Sequence, residues 1–206
     1  MSFPAFNFST LGLYRERLSM DFANTTPYHH TLDEDHLRTY ADLLAWSVEV
    51  SLLEAEAAER LYAQSLEQPG DAATVLARAI ALREATYRLL ANTYHEEPLD
   101  TAALDTVNEE IVAAAPVQRL VPAESGVRWA WVYPRDQLDQ MLGPVVWSLV
   151  ELLDSPEARR VRVCEGQDCD WLFFDTSRNH SRRWCSMETC GNRAKARRHY
   201  ARSKSE

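Results

Sequence analysis

Cys164-Glu-Gly-Gln-Asp-Cys169 and Cys185-Ser-Met-Glu-Thr-Cys190 hold all four cysteines of the chain, and Asp170 to Trp184 separate them. Two short loops with two thiols each can aim four sulfurs at one tetrahedral zinc ion about 2.3 Å away. The alternative is four free thiols packed as small hydrophobes. Iron in place of zinc also stays open. Arg160-Val-Arg-Val-Cys164 reads as a strand entering the first loop, and Trp171-Leu-Phe-Phe174 as a strand leaving it. A basic helix is predicted from about Asn192. Cysteine turn, hairpin, second pair and helix follow one another in treble-clef order. Four protein sulfurs leave no open position for substrate or water, so one ion here is structural. A module this small needs it to fold.

Working outward, the charge divides sharply. From Thr176 to Glu206 there are nine basic residues and two acidic ones, a net +7, whereas residues 1–175 carry −16. A basic end on an acidic body separates a phosphate-seeking part from one that phosphates repel. The candidate nucleic-acid contacts are Arg178, Arg182 and Arg183 on the arm between the cysteine pairs. The helix adds Asn192, Arg193, Lys195, Arg197, Arg198 and Arg202. Arg forks match phosphate oxygens and guanine edges. Asn192 can also cap the helix, and Gly191 is expected to free the turn into it. The alternative is a basic run that is solvated or docked on the acidic body.

The body, residues 1–155, reads as mainly helical, with the finger at 156–206. Leu18, Met20 and Phe22 alternate with Ser19 and Asp21, which predicts a strand-like lead-in ending in a turn at Asn24 to Pro27. Helical spacing covers 31–67, and Ser51 with Glu54 predicts a capping box that starts a second helix. Asp71 is expected to cap a helix to about Tyr94, with Leu76, Ile80, Arg83, Tyr87, Leu90 and Tyr94 on its inner stripe. Asp100 caps another, with Leu104, Val107, Ile111 and Ala115 inward. Two β-rich runs, 116–122 and 126–134, predict a hairpin. Asp136 opens the last body helix, which Pro144 is expected to kink. The fold class is therefore α+β, mostly α: a helical domain with a small hairpin, then a treble-clef-like finger. No run approaches the ~18 apolar residues of a membrane span. The N-terminus lacks a signal-peptide pattern, which leads us to expect a reducing, cytoplasmic setting.

Cys190-Gly-Asn-Arg193, with Trp-Cys-Ser-Met before it and Ala-Lys-Ala-Arg-Arg after it, resembles the signature of CGNR zinc-finger proteins. Leu18-Ser-Met-Asp-Phe-Ala-Asn-Thr25 and Leu82-Arg-Glu-Ala85 resemble motifs of the ABATE domain, a stress-induced transcription-regulator domain found with that finger. The resemblance implies zinc at Cys164, Cys169, Cys185 and Cys190, and DNA binding. It leaves the role of the body open.

The leading expectation is thus a zinc-containing DNA-binding regulator, not an enzyme, whose body senses a small ligand or forms a homodimer. A buried Arg83 needs an acidic partner, and Asp21 or an anionic ligand could supply it. Asp21, Asn24, Arg83 and Trp129 are candidates for a ligand pocket. The alternative is an enzyme or ligand-binding protein whose finger is structural or docks another protein. His29-His30 beside Asp33 and Asp35 is a candidate second metal site, weighed against a solvated loop.

Overall fold

A computed structural model describes residues 2–11, 17–29 and 35–204, without the side chains of His199 and Arg202. Helices α1 (Leu18–Ala23), α2 (Tyr40–Glu49), α3 (Ala55–Glu67), α4 (Pro69–His95), α5 (Thr101–Ala114) and α6 (Leu142–Leu153) build the body. Strands β1 (Gln118–Ala123) and β2 (Gly126–Trp131) form an antiparallel hairpin between α5 and α6. The shorter pair β3 (Val161–Val163) and β4 (Leu172–Phe174) and helix α7 (Asn192–Ser203) complete the chain. It is mostly α with two small antiparallel sheets, the expected class.

Helix α4 is the axis. At 27 residues it is about 40 Å long. It packs against α1, α2, α3, α5, α6, β3 and β4. Its most buried side chains, Ala72, Val75, Ala79, Leu82, Ala85, Thr86 and Leu89, are mainly small. Of the expected stripe only Arg83 and Leu90 are fully buried. Leu76, Ile80, Tyr87 and Tyr94 are half-buried. Neighbours approach α4 from several sides, and alanines mark where they come closest.

The lead-in is a helix rather than a strand. In α1, Ser19 through Ala23 are all buried, so no polar face is left to reveal a 3.6-residue period. The chance alternation of Leu18, Met20 and Phe22 imitates a strand. The turn that follows is as expected.

Helix starts also moved. The capping box belongs to Thr39 and Asp42 at the head of α2. Ser51 instead takes φ 59° and closes the turn after α2, and Glu54 caps α3 without a side-chain bond. Residues 31–34 lie outside the described residues, and 35–39 are not helical. Asp71 sits inside the first turn of α4, where its charge suits the helix dipole, with Pro69 at the first position. Asp100 caps α5 as expected, accepting from the Ala103 N–H at 2.9 Å. Helix α6 begins at Leu142, so Pro144 lies in its first turn, where its missing N–H costs nothing, and no kink follows. Gly143 leaves space for the Trp131 ring and the Tyr133 hydroxyl, which a Cβ there would overlap.

Ser155 to Arg160, the expected boundary, is a 3-10 turn capped by the Ser155 hydroxyl. The finger then packs tightly on the body. Val161 and Leu172 belong to the body's apolar core, whereas Phe173 packs with the cysteines. Asn24 seals the seam: its Nδ2 donates to the Leu172 carbonyl and its Oδ1 accepts from the Leu172 N–H, both at 2.9 Å. The Trp171 indole donates to the Thr26 carbonyl at 3.1 Å, and the Asp170 N–H to that of Pro27 at 3.3 Å.

Candidate metal centre

The cysteine loops converge because β3 and β4 bring the ends of the first loop together. The Cys164 N–H donates to the Trp171 carbonyl at 2.9 Å, one step beyond the strand ladder. The second loop is locked on by Glu165, whose N–H donates to the Arg183 carbonyl at 2.9 Å. Met187–Gly191 is a π-helical turn that carries Cys190 and runs straight into α7.

The four Sγ atoms lie within 4.8 Å of one another. Cys169 to Cys185 and Cys185 to Cys190 are both 3.7 Å apart. A tetrahedron with metal–sulfur bonds of about 2.3 Å has edges of about 3.8 Å, so the set fits a zinc-sized ion. The separations are far beyond a sulfur–sulfur bond of about 2.05 Å, and all four cysteines are free. The four-residue gap in the first pair is explained by Gly166. A Cβ there would lie 3.2 Å from the Cys190 sulfur and 3.4 Å from the Cys164 sulfur. The longer loop folds over the sulfurs, and a side chain at 166 would crowd them.

The bare cluster cannot ionise fully. Hydrogen bonds from the Cys169 and Cys185 thiols, then backbone N–H bonds, push the Cys164 thiol down to about 2. Giving its hydrogen bond to Cys164 pushes Cys169 up to about 12, and the same cause raises Cys185. One thiolate at Cys164 held by the thiols of Cys169 and Cys185 is the arrangement these three sulfurs favour by themselves, and a dication would let them ionise together. Surrounding donors suit the net negative charge that results. The Cys185 N–H points at the Cys164 sulfur at 3.4 Å, and Arg193 reaches the Cys190 sulfur at 3.8 Å.

The basic residues divide by what holds them. Arg182 turns inward: its guanidinium lies 4.9 Å over the Phe173 ring and donates to the carbonyls of Trp184, at 2.9 Å, and Cys185. Asp175 fixes this arm by accepting from Ser177 and from the Arg182 N–H. Arg183 pairs with Glu165 and covers Trp184. Arg197 is 3.6 Å from Asp168, a loose pair. Arg178, Lys195 and Arg198 are exposed. The Asn192 side chain donates back to the Glu188 carbonyl, while Ser186 caps the turn. Gly191 has no left-handed φ; it is buried against Met187. The Arg202 side chain lies outside the described residues.

No described cavity among the described residues is lined by more than one of the four pocket candidates. Asn24 is spent on the seam. Trp129 is 68% exposed on β2 and borders a shallow depression with Trp131 and Trp147. Asp21 is buried in α1. Arg83 is fully buried, and its partner is Asp35 rather than Asp21, in a two-pronged pair with both contacts at 2.6 Å. Its Nε donates to Glu84 at 2.9 Å, and Glu84 in turn meets His29 Nδ1 at 2.9 Å. His29 stacks on Tyr87 at 3.6 Å. His29 and Asp35 thus serve a buried ion network, while His30 and Asp33 lie outside the described residues. No spacing in the sequence pointed to Asp35, because 48 residues separate it from Arg83.

Compared with protein families, residues 16–156 match ABATE, described as "Putative stress-induced transcription regulator", and residues 160–203 match the CGNR zinc finger. No curated protein matches the chain. Neither matched family is enzymatic by description. No helix among the described residues is long and apolar enough to cross a membrane.

Proposed function

The chain belongs to the ABATE family and ends in a CGNR zinc finger, and from that premise we propose that it is a zinc-dependent DNA-binding transcription regulator. Zinc at Cys164, Cys169, Cys185 and Cys190 is structural in this reading. The ion ties Cys190, and with it the start of α7, to the two strands. One observation carries the proposal: α7 continues directly from the π-helical turn that carries Cys190, and it contains no acidic residue. Arg178, Arg193, Lys195, Arg197 and Arg198 are the proposed phosphate contacts, with Arg202 beyond the described side chains. Arg182 and Arg183 support the finger instead. Few of these side chains suit base reading, so affinity rests mainly on phosphates and specificity is modest. The acidic body, residues 1–155 at −14, would stand away from the duplex.

The test is a salt series of binding to random duplex DNA, on protein of measured metal content, with and without a zinc chelator. Steep weakening with salt, and loss of binding on chelation, is the expected result. Stoichiometric zinc with no binding at low salt would overturn it and leave the finger as a structural or protein-docking element.

A further inference from the structure

Where the body meets the finger, a cleft of about 400 Å³ is lined by Pro156, Glu157, Arg159, Arg160, Arg162 and His180. Its charge is unbalanced. Glu157 is already paired with Arg17. Asp175, near Arg162, spends both oxygens on Ser177 and the Arg182 N–H. No carboxylate among the described residues pairs with Arg159, Arg160 or Arg162.

The local sequence explains the convergence. Ala158-Arg-Arg-Val-Arg162 passes from a 3-10 turn into β3. Arg159 and Arg160 from the end of the turn and Arg162 from β3 line the cleft together. Two of the guanidiniums lie over aromatic rings: Arg160 is 5.7 Å from the Phe174 centroid, and Arg162 is 5.2 Å from that of Tyr94. Arg162 also donates to the carbonyls of Arg159 and Val161, at 2.6 and 3.0 Å. A guanidinium over a ring keeps N–H edges free to donate. His180 reaches the cleft from the arm in a left-handed backbone conformation, φ 48°, a strained state for a non-glycine residue.

We infer that this cleft is a phosphate-binding site, distinct from the basic helix α7, in which Arg159, Arg160, Arg162 and His180 surround one phosphate group. A carboxylate is satisfied by one guanidinium fork, whereas three forks and an imidazole suit the several oxygens and higher charge of a phosphate. The phosphate could belong to a small phosphorylated molecule or to the backbone of a duplex that α7 also engages.

The test uses the full zinc-loaded chain and the variants Arg159→Gln and Arg162→Gln, each checked for unchanged melting temperature and metal content. One arm follows inorganic phosphate by 31P line broadening. The other follows random duplex DNA in a salt series, with Arg193→Gln as comparator. A small-molecule site predicts phosphate binding that weakens about tenfold or more in each variant, the usual worth of one charged hydrogen bond. A DNA-backbone site predicts little free-phosphate binding and a salt slope lower by about one in each variant. The inference is overturned if neither variant moves either readout, including phosphate binding that persists unchanged. If Arg193→Gln alone lowers the slope, the cleft fails while the DNA reading of α7 stands. Arg159 is exposed, so its variant carries the test should Arg162→Gln fold poorly.

Discussion

Asn24→Ala removes both hydrogen bonds that join α1's end to β4 and puts nothing in their place. Asn24 is fully buried and so is Leu172, so the Leu172 N–H and carbonyl lose their partners away from water. An orphaned buried group costs about 1–3 kcal/mol, so the pair costs about 2–6 kcal/mol. For a chain of this size each kcal/mol lowers the melting temperature by about 2–4 °C. The expected fall is therefore at least about 4 °C by calorimetry on zinc-loaded protein. Because Leu172 leads directly into the Phe173 side of the metal centre, zinc should also pass to a competing chelator faster than in the parent. A melting temperature within about 2 °C of the parent, with an unchanged chelation rate, would refute the reasoning and make the seam a product of apolar contact alone.

Cys185→Ser should release the metal and unfold the finger, yet keep most of the far-ultraviolet helical signal, since α2 to α6 pack without the cysteines; loss of all helical signal would contradict this. Asp35→Asn leaves a buried Arg83 with only Glu84 and should cost about 3–5 kcal/mol in denaturant unfolding; a change under about 1 kcal/mol would count against the pair. The acid limb of stability should follow the same groups. Burial raises the Asp35 and Glu84 carboxyls, but the Arg83 guanidinium for Asp35, and His29 with Arg83 for Glu84, outweigh it and hold both below their ordinary values of 3.8 and 4.5. Their contribution is then complete above about pH 4.5 and is lost as pH falls through the lower folded values, and Asp35→Asn should flatten that decline. Arg193→Ala should lower the DNA salt slope by about one, whereas Arg182→Ala should weaken metal retention, because its guanidinium braces the Trp184 and Cys185 carbonyls; the reverse pattern would exchange their roles.

The finger was legible in the sequence because thiols advertise themselves and two strands of alternating residues flank them. The hairpin was legible from its Gly and Pro borders. Helix α1 was not, since a helix buried on every side loses the polar face that betrays its period. The expected capping box failed: Ser51 with Glu54 fits the S/T-x-x-E pattern, whereas the structure forms its capping box from Thr39 and Asp42. That Arg83 needs an acid could be read from its apolar stripe, but Asp35 was hidden by distance along the chain. The arginine cleft is masked in the sequence because Arg159, Arg160 and Arg162 lie among acidic residues, ahead of the basic stretch that begins at Thr176.

Strand β4 is three residues long, yet it is a wall shared by two rooms, with Leu172 facing the helices and Phe173 facing the sulfurs. Coupling across a shared wall is reciprocal by thermodynamic necessity. Whatever factor the ion contributes to the firmness of the helical body, anything that firms the body returns to the ion's affinity. With zinc bound as proposed, the finger would be a gauge as well as a grip: the tightness with which it held the ion would register the state of a helical core that the ion does not touch.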